Sequence, residues 1–271
     1  MLINLGGKAL ENRCWENFTL EEIKQVAVIT IDHPPLNILT KQLLEELNEV
    51  IDAVSEISDC RAVILRAMGE KSFVAGADIL QFPNLSSEAG FALVEFGKAV
   101  FERIATFPAP VICAINGLAL GGGLELAIAC DIRIAEEHAT FGLPETGLGI
   151  IPGYSGTQRL TRLVGLGKAK EIVFTGEFYS AQDAFEMGLV EQVVAKGESY
   201  HAAKAMAEKI VSKGPIAIAK AKIAINKGFE MSLQEAHNLE STSFSELCST
   251  RDMQEGVQAF IEKRKPEFKN Q

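Results

Sequence analysis

The spacing of apolar positions changes character beyond the middle of the chain. Between residues 26 and 135, short apolar runs alternate with stretches whose apolar positions recur every three or four residues. The short runs predict strands at 26–32, 62–67, 111–115 and 131–135, and the other stretches predict helices at 40–57, 88–106 and 122–129. This alternation is typical of an α/β fold, in which right-handed crossovers join parallel strands that helices bury.

After residue 155 the pattern is almost entirely helical. It predicts helices at 157–164, 167–174, 180–187, 201–212, 216–227, 233–247 and 253–263, and only 190–194 is predicted as a strand there. We therefore place a boundary near residue 198, between an α/β core at 1–198 and a C-terminal helical region at 199–271. Because little sheet remains for these last helices to cover, we expect them to pack on another subunit.

Composition narrows the class of protein. The 271 residues are 47% hydrophobic and 23% charged, which fits a soluble globular protein, and the net charge of −10 argues against a surface built to coat nucleic acid or an anionic membrane. The five cysteines form no CxxC pattern, the N-terminus has no export signal, and no apolar run approaches the roughly 18 residues of a membrane span. We expect a cytoplasmic protein.

Histidine and lysine patterns give weaker indications. The four histidines are scattered without metal-ligand spacing, so we predict no metal and no Ser-His dyad. Six lysines and one glutamate make the span 200–228 basic. Such a span is usually a solvated helical face, and contact with a nucleotide or RNA is the minority alternative.

Two turns rich in glycine and alanine follow predicted strands. One is at 75–78, after the strand 62–67, and the other is at 121–123, after the strand 111–115 and at the start of the helix 122–129. Both can bring backbone N–H groups close to a ligand oxygen, and the second adds the free amides of a helix N-terminus. The chain has no GxxxxGK(S/T), and no GxGxxG follows its first strand, so a phosphate loop is disfavoured. Since the carboxyl ends of parallel strands share one edge, we expect the turns to meet.

Two glutamates accompany these turns. Glu125 lies one turn into the helix between Leu124 and Leu126, where a buried carboxylate needs compensation or a use; the alternative is a solvated helical residue. Glu145 follows Pro144 in a glycine-rich loop, which is often a plain surface turn. If both face one cavity, their like charges raise one pKa, and the pair can hold an acid and a base near neutral pH. Together with backbone amides, this suits thioester chemistry.

Four segments together carry a family resemblance. They are SFVAGADI at 72–79, AINGLALGGGLELA at 114–127, FGLPE at 141–145 and GTQRL at 156–160. This ordered set resembles the enoyl-CoA hydratase (crotonase) family, and in particular its short-chain hydratases, from about Phe18 onward. The resemblance implies an α/β spiral of ββα units with a C-terminal helical trimerisation region, in a homotrimer or a dimer of trimers. It also implies reversible hydration of trans-2-enoyl-CoA thioesters in fatty-acid metabolism, with no cofactor besides the CoA of the substrate.

The resemblance also assigns roles to residues. It implies an oxyanion hole at the backbone amides of Ala77 and Gly122, water activation by Glu125, and protonation of the α-carbon by Glu145. The implied contacts to substrate or CoA are Lys71, Ala75, Gly76, Asp78, Ile79, Gly121, Pro144, Gly153, Tyr154, Phe244, Phe260 and Lys263.

Two residues depart from the family pattern. Tyr154 stands where small residues are common, so we expect it to narrow the acyl pocket or add a hydroxyl there. Leu80 stands where the family frequently has a basic residue, which weakens one CoA contact.

Two other functions are compatible with parts of the sequence. A double-bond isomerase or another acyl-CoA lyase would share the oxyanion hole but typically lacks one of the two glutamates. An RNA-binding relative would use the basic span at 200–228.

Overall fold

The structure, a computed structural model, describes residues 13–271 except for the side chain of Gln81. Six strands form the first sheet, in the order β1-β2-β3-β5-β7-β10. β1 is antiparallel to β2, and every other neighbouring pair is parallel. The strands are β1 (Phe18–Ile23), β2 (Val26–Ile31), β3 (Ala62–Ala67), β5 (Val111–Ile115), β7 (Ile132–Glu136) and β10 (Gln192–Val194).

Four short strands form a second sheet, in the order β4-β6-β8-β9. They are β4 (Ser72–Val74), β6 (Leu118–Leu120), β8 (Thr140–Gly142) and β9 (Tyr179–Ser180). The strand pairs β3 and β4, β5 and β6, and β7 and β8 each place the first strand in the first sheet and the second strand in the second sheet. A helix follows each pair, so the chain winds as a spiral of ββα units, which confirms the fold implied by the resemblance.

Helices complete these units and form the C-terminal region. They are α1 (Lys41–Ser55), α2 (Ser87–Ala105), α3 (Gly122–Ala129), α4 (Gly156–Thr175), α5 (Ala181–Glu186), α6 (Ser199–Val211), α7 (Pro215–Gly228), α8 (Leu233–Leu247) and α9 (Arg251–Glu262). Short 3-10 helices span Ile79–Gln81 and Pro144–Leu148. The predicted helices and strands are confirmed within two residues, and the predicted break between 164 and 167 falls at Gly165, where φ is 80° within α4.

The pattern of apolar positions did not reveal β1 or the second sheet. The statement that only 190–194 forms a strand after residue 155 was wrong, because β9 pairs with β8. Strands of two or three residues are too short to show a period of two in the sequence. Their partners belong to the next turn of the spiral and lie tens of residues away along the chain, so only the assembled fold specifies them.

The C-terminal helices differ in what they cover. α6 packs Ala203 and Ala207 against Val28 and Ile64 of the first sheet, so for this helix the expectation of little sheet left to cover was wrong. In the described chain, α7 has no fully buried residue, and α8 has only Ser243. The boundary near residue 198 coincides with the start of α6 and stays a prediction. No helix among the described residues is long and apolar enough to cross a membrane.

Candidate active site

The first candidate amide belongs to Ala77, just after β4. The N–H of Leu39 donates to the carbonyl of Gly76 at 2.9 Å, and the N–H of Asp78 donates to the carbonyl of Leu39 at 3.1 Å. In such a parallel bridge the residue between the two bonded groups turns its own N–H to the opposite side. Among the described residues, no group accepts a hydrogen bond from the Ala77 N–H. The amide is therefore available to a ligand oxygen.

The second candidate amide opens α3. Gly121 has φ 50° and ψ −125°, a conformation that favours glycine, and it turns the chain from β6 into the helix. A Cβ at Gly123 would lie 1.9 Å from the carbonyl oxygen of Val74, so the N-terminus of α3 rests directly on β4. Gly122 supplies the first N–H of the helix, for which the described residues offer no acceptor.

The two amides border the same side chain. Leu39, whose backbone brackets Ala77, is fully buried, and its Cδ1 would lie 2.9 Å from a Cβ at Gly122. A Cβ at Gly121 would lie 3.8 Å from the Cα of Gly76. The predicted meeting of the two glycine turns is thus what the structure contains. The free N–H groups of Ala77 and Gly122 therefore lie at one corner, between the end of β4 and the start of α3. This corner can receive a carbonyl oxygen that gains negative charge.

Glu125 is held on the buried face of this corner. Its side chain is 1% exposed, and its Oε1 accepts hydrogen bonds from the N–H groups of Tyr154 and Gly156, both at 2.7 Å. Burial, with a smaller contribution from the charge of Glu145, raises the pKa of Glu125 to about 8, although the two N–H donors act to lower it. The solvated alternative is therefore wrong, and the compensation expected for a buried carboxylate is present.

Glu145 reaches the corner from the other side. It lies in the 3-10 helix Pro144–Leu148, which Thr146 anchors by donating its hydroxyl to the carbonyl of Val173 at 2.8 Å. The Oε1 of Glu145 lies 2.8 Å from the position of a Cβ at Gly121. Its buried Oε2 has no hydrogen-bond partner among the described residues, and burial raises the pKa of the carboxyl to about 7. The half-buried loop is therefore more than a surface turn.

The two carboxyl groups form one acid–base pair. Both pKa values are raised into the neutral range, and the charge of Glu145 is one cause of the raised pKa of Glu125. Two such groups lose their protons in two coupled steps, so between these steps the pair carries about one proton. An ionised carboxylate and a neutral carboxylic acid then face the corner together.

Tyr154 forms the wall beside Gly122. The side chain is 4% exposed, and its ring packs edge-on against Phe101 with 5.4 Å between the ring centroids. A Cβ at Gly122 would lie 3.3 Å from Cδ2 of this ring. Burial raises the pKa of the Tyr154 hydroxyl to about 12, so the phenol is neutral at ordinary pH. The structure thus brings this departure from the family pattern to the site.

The remaining predicted contacts fall into two groups. Ala75, Gly76, Asp78, Ile79, Gly121, Pro144 and Gly153 belong to the segments that surround the two amides and the two carboxyl groups. Phe244 on α8, Phe260 on α9 and Lys263 at its end are exposed, as is Lys71. No hydrogen bond or ion pair of the described chain joins α8 or α9 to the two glutamates, so these CoA contacts stay predictions.

The structure also adds residues that the sequence interpretation missed. Leu39 orders the Ala77 peptide, and Gly97 of α2 makes room for the Tyr154 ring, since a Cβ there would lie 2.3 Å from Cε1. Leu39 gives no sequence signal, whereas a glycine inside a predicted helix is a signal of close packing. Within residues 13–271 no group of three or more His, Cys, Asp or Glu side chains could hold a metal. The absence of a metal cofactor stays a prediction.

Two free amides beside a pair of buried carboxyl groups are typical of enzymes that polarise a carbonyl while moving protons on neighbouring atoms. A sequence profile of the enoyl-CoA hydratase/isomerase family matches residues 21–271. The chain belongs to this family.

Individual relatives match over nearly the whole chain. The short-chain-enoyl-CoA hydratase of Clostridium acetobutylicum is 48% identical over 256 residues, covering 94% of this chain and 98% of that protein. The crotonyl-CoA hydratase of Syntrophomonas wolfei is 43% identical, with coverage of 94% and 98%. The crystal structure of an enoyl-CoA hydratase from Bacillus anthracis superposes with a TM-score of 0.91 at 43% identity, covering 94% of this chain and all of that one.

Proposed function

We propose that the chain is an enoyl-CoA hydratase, which adds water reversibly across the double bond of a trans-2-enoyl-CoA to give a 3-hydroxyacyl-CoA. The observation that carries the proposal is the pair of carboxyl groups, Glu125 and Glu145, on two sides of the corner that presents the Ala77 and Gly122 amides. Hydration requires a base for water, an acid for carbon and a donor set for the thioester oxygen. This corner supplies all three.

The proposed reaction assigns each group to one atom. The thioester oxygen accepts hydrogen bonds from the amides of Ala77 and Gly122. Glu125 takes a proton from water as the water oxygen bonds to C3, and the electron pair of the double bond moves onto the thioester oxygen as an enolate. The enolate then collapses as C2 takes a proton from Glu145. The two N–H donors hold Oε1 of Glu125 in place. Because the pKa of Glu125, about 8, exceeds that of Glu145, about 7, the shared proton of the free protein rests more on Glu125, and hydration begins from the form in which this proton has moved to Glu145.

The fate of the two protons closes the cycle. After hydration Glu125 is protonated and Glu145 is ionised, so one proton must return from the first carboxyl to the second before the next turnover. In the reverse direction Glu145 removes the C2 proton and Glu125 protonates the leaving hydroxyl. No redox step occurs, so we propose that the reaction needs no cofactor beyond the CoA of the substrate. Dialysis against a chelator should leave the rate unchanged.

A double-bond isomerase is the alternative within the family. It would move one proton between C2 and C4 and would need no group to activate water. The N–H donors that hold Glu125 in a carboxylate-binding geometry support a second active carboxyl group. An RNA-binding function has less support, because Lys220 and Lys222 of the basic span are engaged by Glu246 and Asp131.

We also propose that the chain assembles as trimers or as a dimer of trimers. The C-terminal helices carry exposed large apolar side chains, among them Phe229, Leu233, Phe244, Phe260 and Ile261. Apolar surfaces of this kind are usually buried between subunits. Light scattering should give three or six times the mass of the chain, and a monomer would contradict the proposal.

We propose a reducing compartment such as the cytoplasm as the place of action. All five cysteines lie in the described part of the chain and are free thiols, and Cys113 and Cys130 are buried. Free thiols are usual where the surroundings are reducing. Fractionation of the source cells should place the protein with cytoplasmic markers.

The experiment that tests the function separates hydration from isomerisation. Purified protein is incubated with crotonyl-CoA, with longer trans-2-enoyl-CoAs and with 3-enoyl-CoAs; the gain of water is detected by mass, and the 2-enoyl and 3-enoyl isomers are distinguished by the absorbance of the conjugated enoyl thioester. Gain of one water by trans-2-enoyl-CoAs supports hydration and ranks the chain lengths. Conversion of 3-enoyl-CoA to its 2-enoyl isomer without any hydration would reject the proposal in favour of the isomerase.

A further inference from the structure

A glycine in the middle of α2 lets the Tyr154 ring lie against the helix backbone. Gly97 is buried, and a Cβ there would lie 2.3 Å from Cε1 and 2.5 Å from Cδ1 of Tyr154. Glycine is unfavourable inside a helix, so its presence here has a packing reason. Any larger residue would force the ring to move, because the ring is also confined by Phe101 and by Gly122.

A second contact joins the loop at 152–156 to α2, and here the glycine lies in the loop and the larger side chain lies in the helix. Val94 lies three residues before Gly97, on the same face of α2. A Cβ at Gly153 would lie 2.6 Å from Cγ1 of Val94. A large residue of the helix thus meets a glycine of the loop, and a large residue of the loop meets a glycine of the helix. The two pairs interlock, and the loop cannot slide along α2.

This loop holds the carboxylate of Glu125. The N–H of Tyr154 and the N–H of Gly156 are its hydrogen-bond donors, both at 2.7 Å. A displacement of the Tyr154 ring therefore moves a backbone group that fixes Glu125. A residue at position 97 therefore acts on the Glu125 carboxylate through the Tyr154 ring and the Tyr154 N–H.

We propose that Gly97 is a positioning residue, which acts with Tyr154 to fix the loop at 152–156 and thereby the carboxylate of Glu125. The inference deepens the proposed hydratase function and rests on it for its kinetic measurement. Gly97 itself contacts neither glutamate, and its effect passes through the loop.

The kinetic test compares Gly97→Ala with Gly90→Ala, a matched change in the same helix. Among the described residues, a Cβ at Gly90 would meet only the flexible side chain of Leu85, at 3.4 Å. We expect Gly97→Ala to lower kcat for crotonyl-CoA by about 10- to 100-fold with a smaller change in KM, as misplacement of a catalytic group does, and Gly90→Ala to leave kcat unchanged.

A double variant tests whether the clash between a Cβ at residue 97 and the Tyr154 ring causes the loss of kcat. In a Tyr154→Ala background the ring is gone, so Gly97→Ala should cause no further loss of kcat. An equal loss in both backgrounds, or no loss in either, would overturn the inference.

A stability measurement tests the same coupling without activity. Because burial raises its pKa, Glu125 costs stability as the pH rises from about 4.5 towards the folded-state value, so Glu125→Gln should raise Tm at pH 9 and not at pH 5. Gly97→Ala weakens the N–H donors that lower this pKa, so the gain from Glu125→Gln at pH 9 should increase. The wild type, Glu125→Gln, Gly97→Ala and the double variant all contain Glu145, so its contribution cancels when the two gains in Tm are compared.

The two measurements separate the possible failures. If the wild type hydrates no enoyl-CoA, the proposed function fails while the Tm comparison still tests the interlock. If the wild type is active but the gain from Glu125→Gln at pH 9 is the same with and without the Gly97→Ala change, the positioning role is wrong.

Discussion

The helix α3 and the loop at 144–148 each bring one carboxyl group to the same corner, but they hold it differently. Every residue of α3 is buried, and Glu125 has two backbone donors on one oxygen. Within the described chain, the loop has no fully buried residue, and the buried Oε2 of Glu145 has no hydrogen-bond partner. Hydrogen bonds from the backbone fix one carboxyl group, and the other keeps an oxygen without such a bond.

This difference teaches how one corner can hold an acid and a base. Burial raises both pKa values, so burial alone does not distinguish the two groups. The two groups differ in their hydrogen bonds, because two backbone N–H groups fix Oε1 of Glu125, whereas Oε2 of Glu145 has no partner among the described residues. The pKa values, about 8 for Glu125 and about 7 for Glu145, place the shared proton of the free protein more on Glu125, so the assignment of Glu125 as the base and Glu145 as the acid rests on the family resemblance. The variants below perturb one carboxyl group at a time.

The largest effect should follow from neutralising either carboxyl group. Glutamine has the shape of glutamate and its oxygen can still accept the N–H groups of Tyr154 and Gly156, so Glu125→Gln removes the base with little change of structure. We expect kcat to fall by about 10²- to 10⁴-fold for Glu125→Gln and for Glu145→Gln. Steady-state hydration of crotonyl-CoA measures this, and a variant within tenfold of the wild type would remove its residue from the mechanism.

Two glycine substitutions should disturb the carboxyl groups one at a time. A Cβ at Gly156 would lie 2.8 Å from Oε1 of Glu125, and a Cβ at Gly121 would lie 2.8 Å from Oε1 of Glu145. Each change to alanine should lower kcat by about 10- to 100-fold through misplacement. Gly147→Ala is the matched control in the same loop as Glu145, since a Cβ there meets no atom of residues 13–271 within 4 Å. A control as impaired as the other two would show that alanine acts on folding instead.

The pH profile should report the coupling between the two groups. Activity needs one ionised and one protonated carboxyl group, so kcat/KM should be bell-shaped with its maximum between pH 7 and 8, given pKa values of about 7 and about 8. With Glu145 as the acid, the alkaline limb reports the loss of the last proton of the pair, so Glu145→Gln, which cannot ionise at this position, should lose the alkaline limb of its residual activity. An alkaline limb that stays in place would contradict the role of Glu145 in this titration.

The smallest effect should appear in stability. A buried carboxyl group whose folded-state pKa lies above 4.5 destabilises the protein progressively as the pH rises towards that pKa. Glu125→Gln should therefore be more stable than the wild type by about 1–3 kcal/mol at pH 9 and equally stable at pH 4 to 5. Thermal unfolding at the two pH values tests this, and a constant difference would contradict the raised pKa of the buried Glu125.

Local sequence signals were sufficient for the parts of the site that lie within one segment. A glycine run that opens a helix predicted the Gly122 amide, and a glutamate inside an apolar run predicted a buried group with a use. Leu39 and Gly97 were missed because their roles come from contacts with Ala77 and Tyr154, 38 and 57 residues away along the chain. Side-chain spacing cannot show such contacts before the fold is known.

The same distinction between local signals and distant contacts applies to the fold. The long strands and helices were predicted from periodicity, whereas the second sheet consists of two- and three-residue strands that pair across turns of the spiral. The spiral itself came from the family resemblance and not from the pattern. The CoA contacts of Phe244, Phe260 and Lys263 stay predictions, because they depend on how subunits assemble.

The division of labour between the two acids can be measured most directly with butyryl-CoA in heavy water. This saturated thioester cannot be hydrated, but its C2 proton can exchange through the enolate that the Ala77 and Gly122 amides stabilise. We predict that Glu125→Gln retains the exchange while losing hydration of crotonyl-CoA, and that Glu145→Gln loses both. Loss of exchange in Glu125→Gln with retention in Glu145→Gln would contradict the assignment of base and acid.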